Sequence, residues 1–149
     1  MTGDQLPNED HIVRYVKPSS IDEGEVDGSE FRLRPHRPDE TGVSVNWLEY
    51  YRDMDKCAQL SEIRRVYRLS RKKNGRFAEL SVGAVCAHVA AELEGIGVLH
   101  SPVKAEGEFE ADPSHSEIAG LPPGDSDHAA LIGDLIAECI IALHPALEE

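Results

Sequence analysis

Little in this chain points away from an ordinary folded domain, and what it lacks narrows the reading first. Met1 to Asp10 carries Asp4, Glu9 and Asp10 but no basic side chain. It therefore has neither the positive start nor the apolar stretch of a secretory signal. Long hydrophobic runs are missing as well. The most apolar segment, Ala129 to Leu143, is broken by Asp134 and Glu138 and falls short of the roughly 20 residues a bilayer requires. No membrane partner is expected.

Cysteine is scarce and oddly numbered: Cys57, Cys86 and Cys139 are widely spaced, which suits reduced core thiols better than a disulfide framework. The expected compartment is the cytoplasm. Glycine-rich phosphate loops are absent too. Gly95-Ile96-Gly97 follows a helical pattern instead of opening one, so its amides are not aimed at an anion by a helix N-terminus. No cofactor is implied. Metal-ligand spacings of the His-x-x-x-His or Cys-x-x-Cys kind do not occur, and no serine has a Gly-x-Ser-x-Gly context.

What is present is acid. With 28 acidic and 15 basic residues the net charge is -13, which opposes general affinity for nucleic acid. Cations concentrate between Arg64 and Arg76, where seven occur without an interspersed carboxylate, leaving 8 basic against 28 acidic residues elsewhere. At 149 residues the chain is long enough for one self-sufficient core.

The hydrophobic pattern predicts an α+β fold. A flexible N-terminus over 1–10 leads into a single domain over 11–144, and 145–149 form a tail. His11 to Val16 reads as a strand, as do Phe31 to Leu33, alternating with Arg32 and Arg34, and Val43 to Trp47 beyond a Pro- and Gly-containing loop over 35–42. Cys57, Leu60, Ile63 and Tyr67 recur at helical spacing after Asp53, and Asn74-Gly75 marks the end of that helix. A second helix is expected over 78–93 and a fourth strand over 95–100, with room to enter the sheet centrally. Lys104 to Ser116 and the Gly- and Pro-rich 120–124 read as loops. Ser126 or Asp127 caps a last helix over 128–143. The sum is a three- to four-stranded, mainly antiparallel sheet with about three helices packed largely on one face.

Four constellations could carry function. His100, His115, Asp112 and Glu117 supply ligand and acid/base types, as a metal-assisted hydrolase or a nucleotide-modifying transferase would need. The alternative is a strand-end histidine beside a solvated loop, with no metal site. Arg64, Arg68 and Lys72 fall on one helical stripe widened by Arg65 and Lys73, fit for an anionic partner or for local contact with nucleic acid. The same cations complement a helix C-terminus. Trp47 and Tyr50 offer an aromatic recognition surface, or core packing. Ile141 stands on a second apolar strip of the last helix, a candidate for self-association. The favoured reading is a small, non-enzymatic interaction protein, a subunit or regulator that binds another protein or itself.

Overall fold

The computed structural model describes residues 3–35 and 40–147 as one α+β domain. Six strands form a single antiparallel sheet: β1 (His11–Val16), β4 (Gly42–Trp47), β5 (Arg76–Ser81), β6 (Gly97–His100), β7 (His115–Ala119) and β8 (Ile140–Pro145). Their spatial order is β6-β7-β4-β1-β5-β8. A small hairpin pairs β2 (Ile21–Asp22) with β3 (Glu25–Val26). The helices are α1 (Lys56–Val66), α2 (Val82–Val89) and α3 (Asp127–Ala137).

The sheet has six strands where three or four were expected, and its helices cover both faces. Neighbouring residues of a strand point to opposite sides, and here each side meets its own core. Ile12 and Leu80 join α2 and α3 through Val82, Val85, Ile132 and Ile136, whereas Val13 and Phe77 meet Leu60 and Ile63 of α1. A strand buried on both faces shows no alternation. That is why Arg76–Ser81, with Phe77, Ala78, Glu79 and Leu80 all buried, passes for the start of a helix; it is a strand, and α2 begins only after Ser81 caps it through the Ala84 amide at 3.2 Å.

Other boundaries shift too. Phe31 is not in a strand: a short 3₁₀ turn over Gly28–Phe31, capped by Asp27 through the Ser29 amide, buries its ring. Hydrogen bonding from the Ser29 amide and hydroxyl holds the Asp27 carboxyl below its usual value. The first helix stops at Val66, so the basic run beyond it is extended chain and turn. The last helix is capped by Ser126, as read from sequence, but ends at Ala137, and 140–145 is the edge strand β8. β6 lies at the opposite edge, not centrally, and β7 comes from the stretch read as the end of a loop.

Both ends join the sheet. Leu6 is buried and its amide bonds to the Val98 carbonyl at 2.8 Å, while Ala146 is buried and bonds to Gly75. Residues 36–39 of the loop read over 35–42, with 1–2 and 148–149, lie outside the described residues. Among the described residues no helix is long and apolar enough to cross a membrane.

Candidate functional site

The histidine and carboxylate constellation comes together, but as a fastening. His100 Nε2 donates to the Pro113 carbonyl at 2.7 Å, and His115 Nδ1 donates to the Ser101 carbonyl at 2.7 Å. Asp112 is buried and accepts from Asn46 Nδ2 at 3.0 Å and from Ser114 Oγ at 3.3 Å. Glu117 accepts from the Thr41 hydroxyl at 3.0 Å. The bonds of His100, His115 and Asp112 pin the loop between β6 and β7, and that of Glu117 joins β7 to the residue before β4. Among the described residues no three His, Cys, Asp or Glu side chains gather as metal ligands.

The cationic stripe does not form, because the helix ends before Arg68 and Lys72. Arg64 donates twice to the Pro145 carbonyl, at 3.0 and 2.7 Å, Arg65 pairs with Glu62 and Glu110, and Arg71 donates to the Ala146 carbonyl at 2.9 Å. Lys72 and Lys73 stand exposed in a turn. Arg64 and Arg71 thus tie the segment at Pro145 and Ala146 to the body of the fold.

Trp47 and Tyr50 meet the ring of His100 at centroid distances of 5.3 and 5.7 Å, and Trp47 Nε1 donates to buried Asp10 at 2.9 Å. Trp47 is half-buried in this cluster, and Tyr50 keeps 40% of its surface exposed. Burial pushes Cys86 and Cys139 above the usual thiol value, and Cys57, assigned by its spacing to an apolar stripe, is exposed on α1.

Ile141 lies on β8, not on a helix. Leu80 pairs with Ile140 and Glu79 with Ala142, which makes Ile141 the extra residue of a β-bulge and leaves it 58% exposed. A bulge and Pro145 both blunt this sheet edge against strand pairing. Ile141→Glu is therefore expected to change stability by no more than about 0.5 kcal/mol in urea unfolding. A folded variant whose mass by light scattering stays equal to that of the parent removes Ile141 from any self-association.

Ile141 borders a shallow, open concavity, and a more enclosed one lies where β1 and β4 part. These strands pair only at Ile12 with Trp47 and Val13 with Asn46. Beyond that point Arg14 fills the gap: its Nε donates to the Glu30 carbonyl at 2.5 Å and another guanidinium nitrogen donates to the Ser44 carbonyl at 2.7 Å. A third guanidinium nitrogen sits 3.9 Å from the Glu30 carboxylate. A cleft of about 410 Å³ opens beside it.

Three parts of the chain bring charge to its wall. The 3₁₀ turn carries Glu30 and leads to Arg32 and Arg34. It is seated where Gly28 meets α3 at Gly133 so closely that a Cβ on Gly133 would stand 2.4 Å from the Gly28 carbonyl oxygen. Arg34 is bound by Glu40 through its amide, Nε and a terminal nitrogen at 2.6–2.9 Å. Behind α1, Arg68 donates to the Lys104 and Glu110 carbonyls and lies 5.4 Å over the Phe109 ring. Lys17 follows β1. Five cations, Arg14, Lys17, Arg32, Arg34 and Arg68, thus face three carboxylates, Glu30, Glu40 and Asp112, in a chain whose net charge is -13. Glu30 Oε2, Arg32 Nε and Arg68 Nε are buried without a hydrogen-bond partner among the described residues.

Of the residues singled out from sequence, Arg68, Asp112 and His115 belong to this wall. Arg14, Arg32, Arg34 and Glu30 escaped attention, although an arginine inside the strand His11–Val16 was a visible signal. Comparison of the chain with protein-family models, curated proteins and solved structures gives no significant match, and the site is read from its own residues.

Proposed function

We propose that this chain is a non-enzymatic binding protein, a cytoplasmic subunit or regulator that recognises its partner by an anionic group held in the cleft between β1 and β4. The observation that carries the reading is the local inversion of charge: a surplus of cations around a cavity in a strongly acidic chain. Arginine suits the task, since it stays charged and offers several donors in a fixed plane. A cavity of about 410 Å³ has the size of a small-ligand or side-chain site.

Titration with succinate, inorganic phosphate and tetraglutamate at low ionic strength, followed by amide chemical shifts, tests it. At least one of the three is expected to shift Ser44, Tyr67 and Arg68 saturably and to weaken as salt rises, because the attraction is screened. Saturation by none of them at those amides overturns the reading.

A further inference from the structure

We infer that the group this cleft takes is the dianionic phosphate of a phosphate monoester whose body bears hydroxyls, of the size of a pentose phosphate or nucleoside monophosphate. The inference rests on the anion-binding reading above.

The charges of the wall give the first reason. Glu40 offsets Arg34 and Glu30 offsets Arg14, while Asp112 is already engaged by Asn46 and Ser114. Lys17, Arg32 and Arg68 form no close ion pair among the described residues, Asp27 acting on Lys17 and Arg32 only from outside the wall, and the formal surplus of the lining residues themselves is two. A phosphate monoester carries about -1.5 to -2 at neutral pH and matches that surplus, where a single carboxylate leaves half of it. Burial also pulls the Arg14 guanidinium below its usual value, and the nearby Glu30 only partly restores it. A second anion beside Arg14 relieves that cost.

Geometry supplies the second reason. Arg14, Arg32 and Arg68 reach the cavity from β1, from the segment after the 3₁₀ turn and from the segment after α1. A carboxylate presents two oxygens in one plane, whereas a terminal phosphate presents three and accepts from donors arriving on different sides. The sequence shows no Gly-rich loop because this recognition is made by guanidinium side chains and needs none.

The carboxylates of the wall define the rest of the ligand. Glu30, Glu40 and Asp112 repel a bare anion, so the molecule must bring hydrogen-bond donors of its own, and Glu30 Oε2 is an acceptor still without one. Hydroxyl groups serve that purpose. Tyr15, Tyr67 and Val103 add surface on which a sugar or base ring can lie, and the cavity exceeds what a phosphate ion alone fills.

The experiment is calorimetric titration of the full chain at pH 7.5 with ribose 5-phosphate and AMP, against the monoanionic methyl ester of ribose 5-phosphate and against succinate. At least one monoester is expected to bind about tenfold more tightly than either control, the worth of a charge-assisted hydrogen bond. Arg14 is a poor variant for this purpose because it also holds the strands. Arg32→Ala and Lys17→Ala spare every hydrogen bond described above and are each expected to weaken the monoester about tenfold, with the fold retained and only a small change in melting temperature for Arg32→Ala, whose half-buried stem is lost. Succinate or the methyl ester binding as tightly as the monoester overturns the phosphate assignment and leaves the anion-binding reading standing. Monoester affinity unchanged in both variants places the ligand outside the cleft and overturns the inference. Binding by none of these compounds, together with no saturable shift in the earlier titration, overturns both.

Discussion

Replacing Arg14 by Met is expected to lower the free energy of unfolding by about 1–3 kcal/mol. The methionine keeps most of the buried stem, so the loss is one of polar partners and not of volume. Two carbonyl oxygens, of Glu30 and Ser44, lose their donor in the space where β1 and β4 no longer pair. The Ser44 carbonyl belongs to an exposed residue and water takes over its bond, whereas the part-buried Glu30 carbonyl left without a partner costs about 1–3 kcal/mol. The Glu30 carboxylate, only 12% exposed, also loses its sole ion-pair partner among the described residues. Because that pair is long at 3.9 Å, its own share is small and the Glu30 carbonyl dominates. Adding Glu30→Gln to Arg14→Met should recover part of the loss by removing the stranded charge. Urea unfolding of the two single variants and the double variant measures the coupling. A loss below about 1 kcal/mol in Arg14→Met would mean that the strands hold their splayed geometry without it.

The cleft explains why part of the fold was legible in sequence and part was not. β1, β4 and β6 were visible because apolar and β-branched residues are bounded by turn signals, and Ser126 was visible as a cap. β5 and β8 were hidden for two different reasons. β5 is buried on both faces. β8 follows α3 after only Glu138 and Cys139, and Ile140 and Leu143 continue the helical spacing of Leu135 and Ile136. Nothing local marks the change, and pairing with β5 decides it. β7 is spelled His-Ser-Glu-Ile-Ala, a polar string that becomes a strand because it lies between β4 and β6. Arg32 and Arg34 were seen as the outward side of a strand, which concealed that a 3₁₀ turn aims this segment at the gap beside β1. The site depends on a failure of strand pairing. A departure of that kind leaves no periodic trace in either strand.

Glu79 offers the second large effect, with a sign set by pH. This carboxylate is fully buried on β5, yet it accepts from His144 Nε2 at 2.8 Å and from Lys56 Nζ at 3.0 Å. Burial alone would raise its pKa; the hydrogen bonds and charges of His144 and Lys56 outweigh burial and hold it below the ordinary 4.5. A folded-state pKa below the unfolded one contributes stability that is complete above the unfolded value and vanishes as pH falls through the folded value. The melting temperature should therefore drop between about pH 5 and pH 3. Glu40 and Glu62 are held low as well, Glu40 by Arg34 against its burial and Glu62 by Arg65, so the fall in the parent protein is a sum. Glu79→Gln isolates the Glu79 part, since it keeps the volume while it removes the charge and one of the two acceptor oxygens. At pH 7 it should cost about 3 kcal/mol, the lower end for breaking a buried pair, because Lys56 is half exposed and rehydrates. The gap between parent and variant should then narrow steadily on acidification. Thermal melts at successive pH values decide it: a gap that stays constant from pH 7 to pH 3 would show that Glu79 owes its place to shape, and that its bonds to Lys56 and His144 contribute nothing to holding β5 and β8 together.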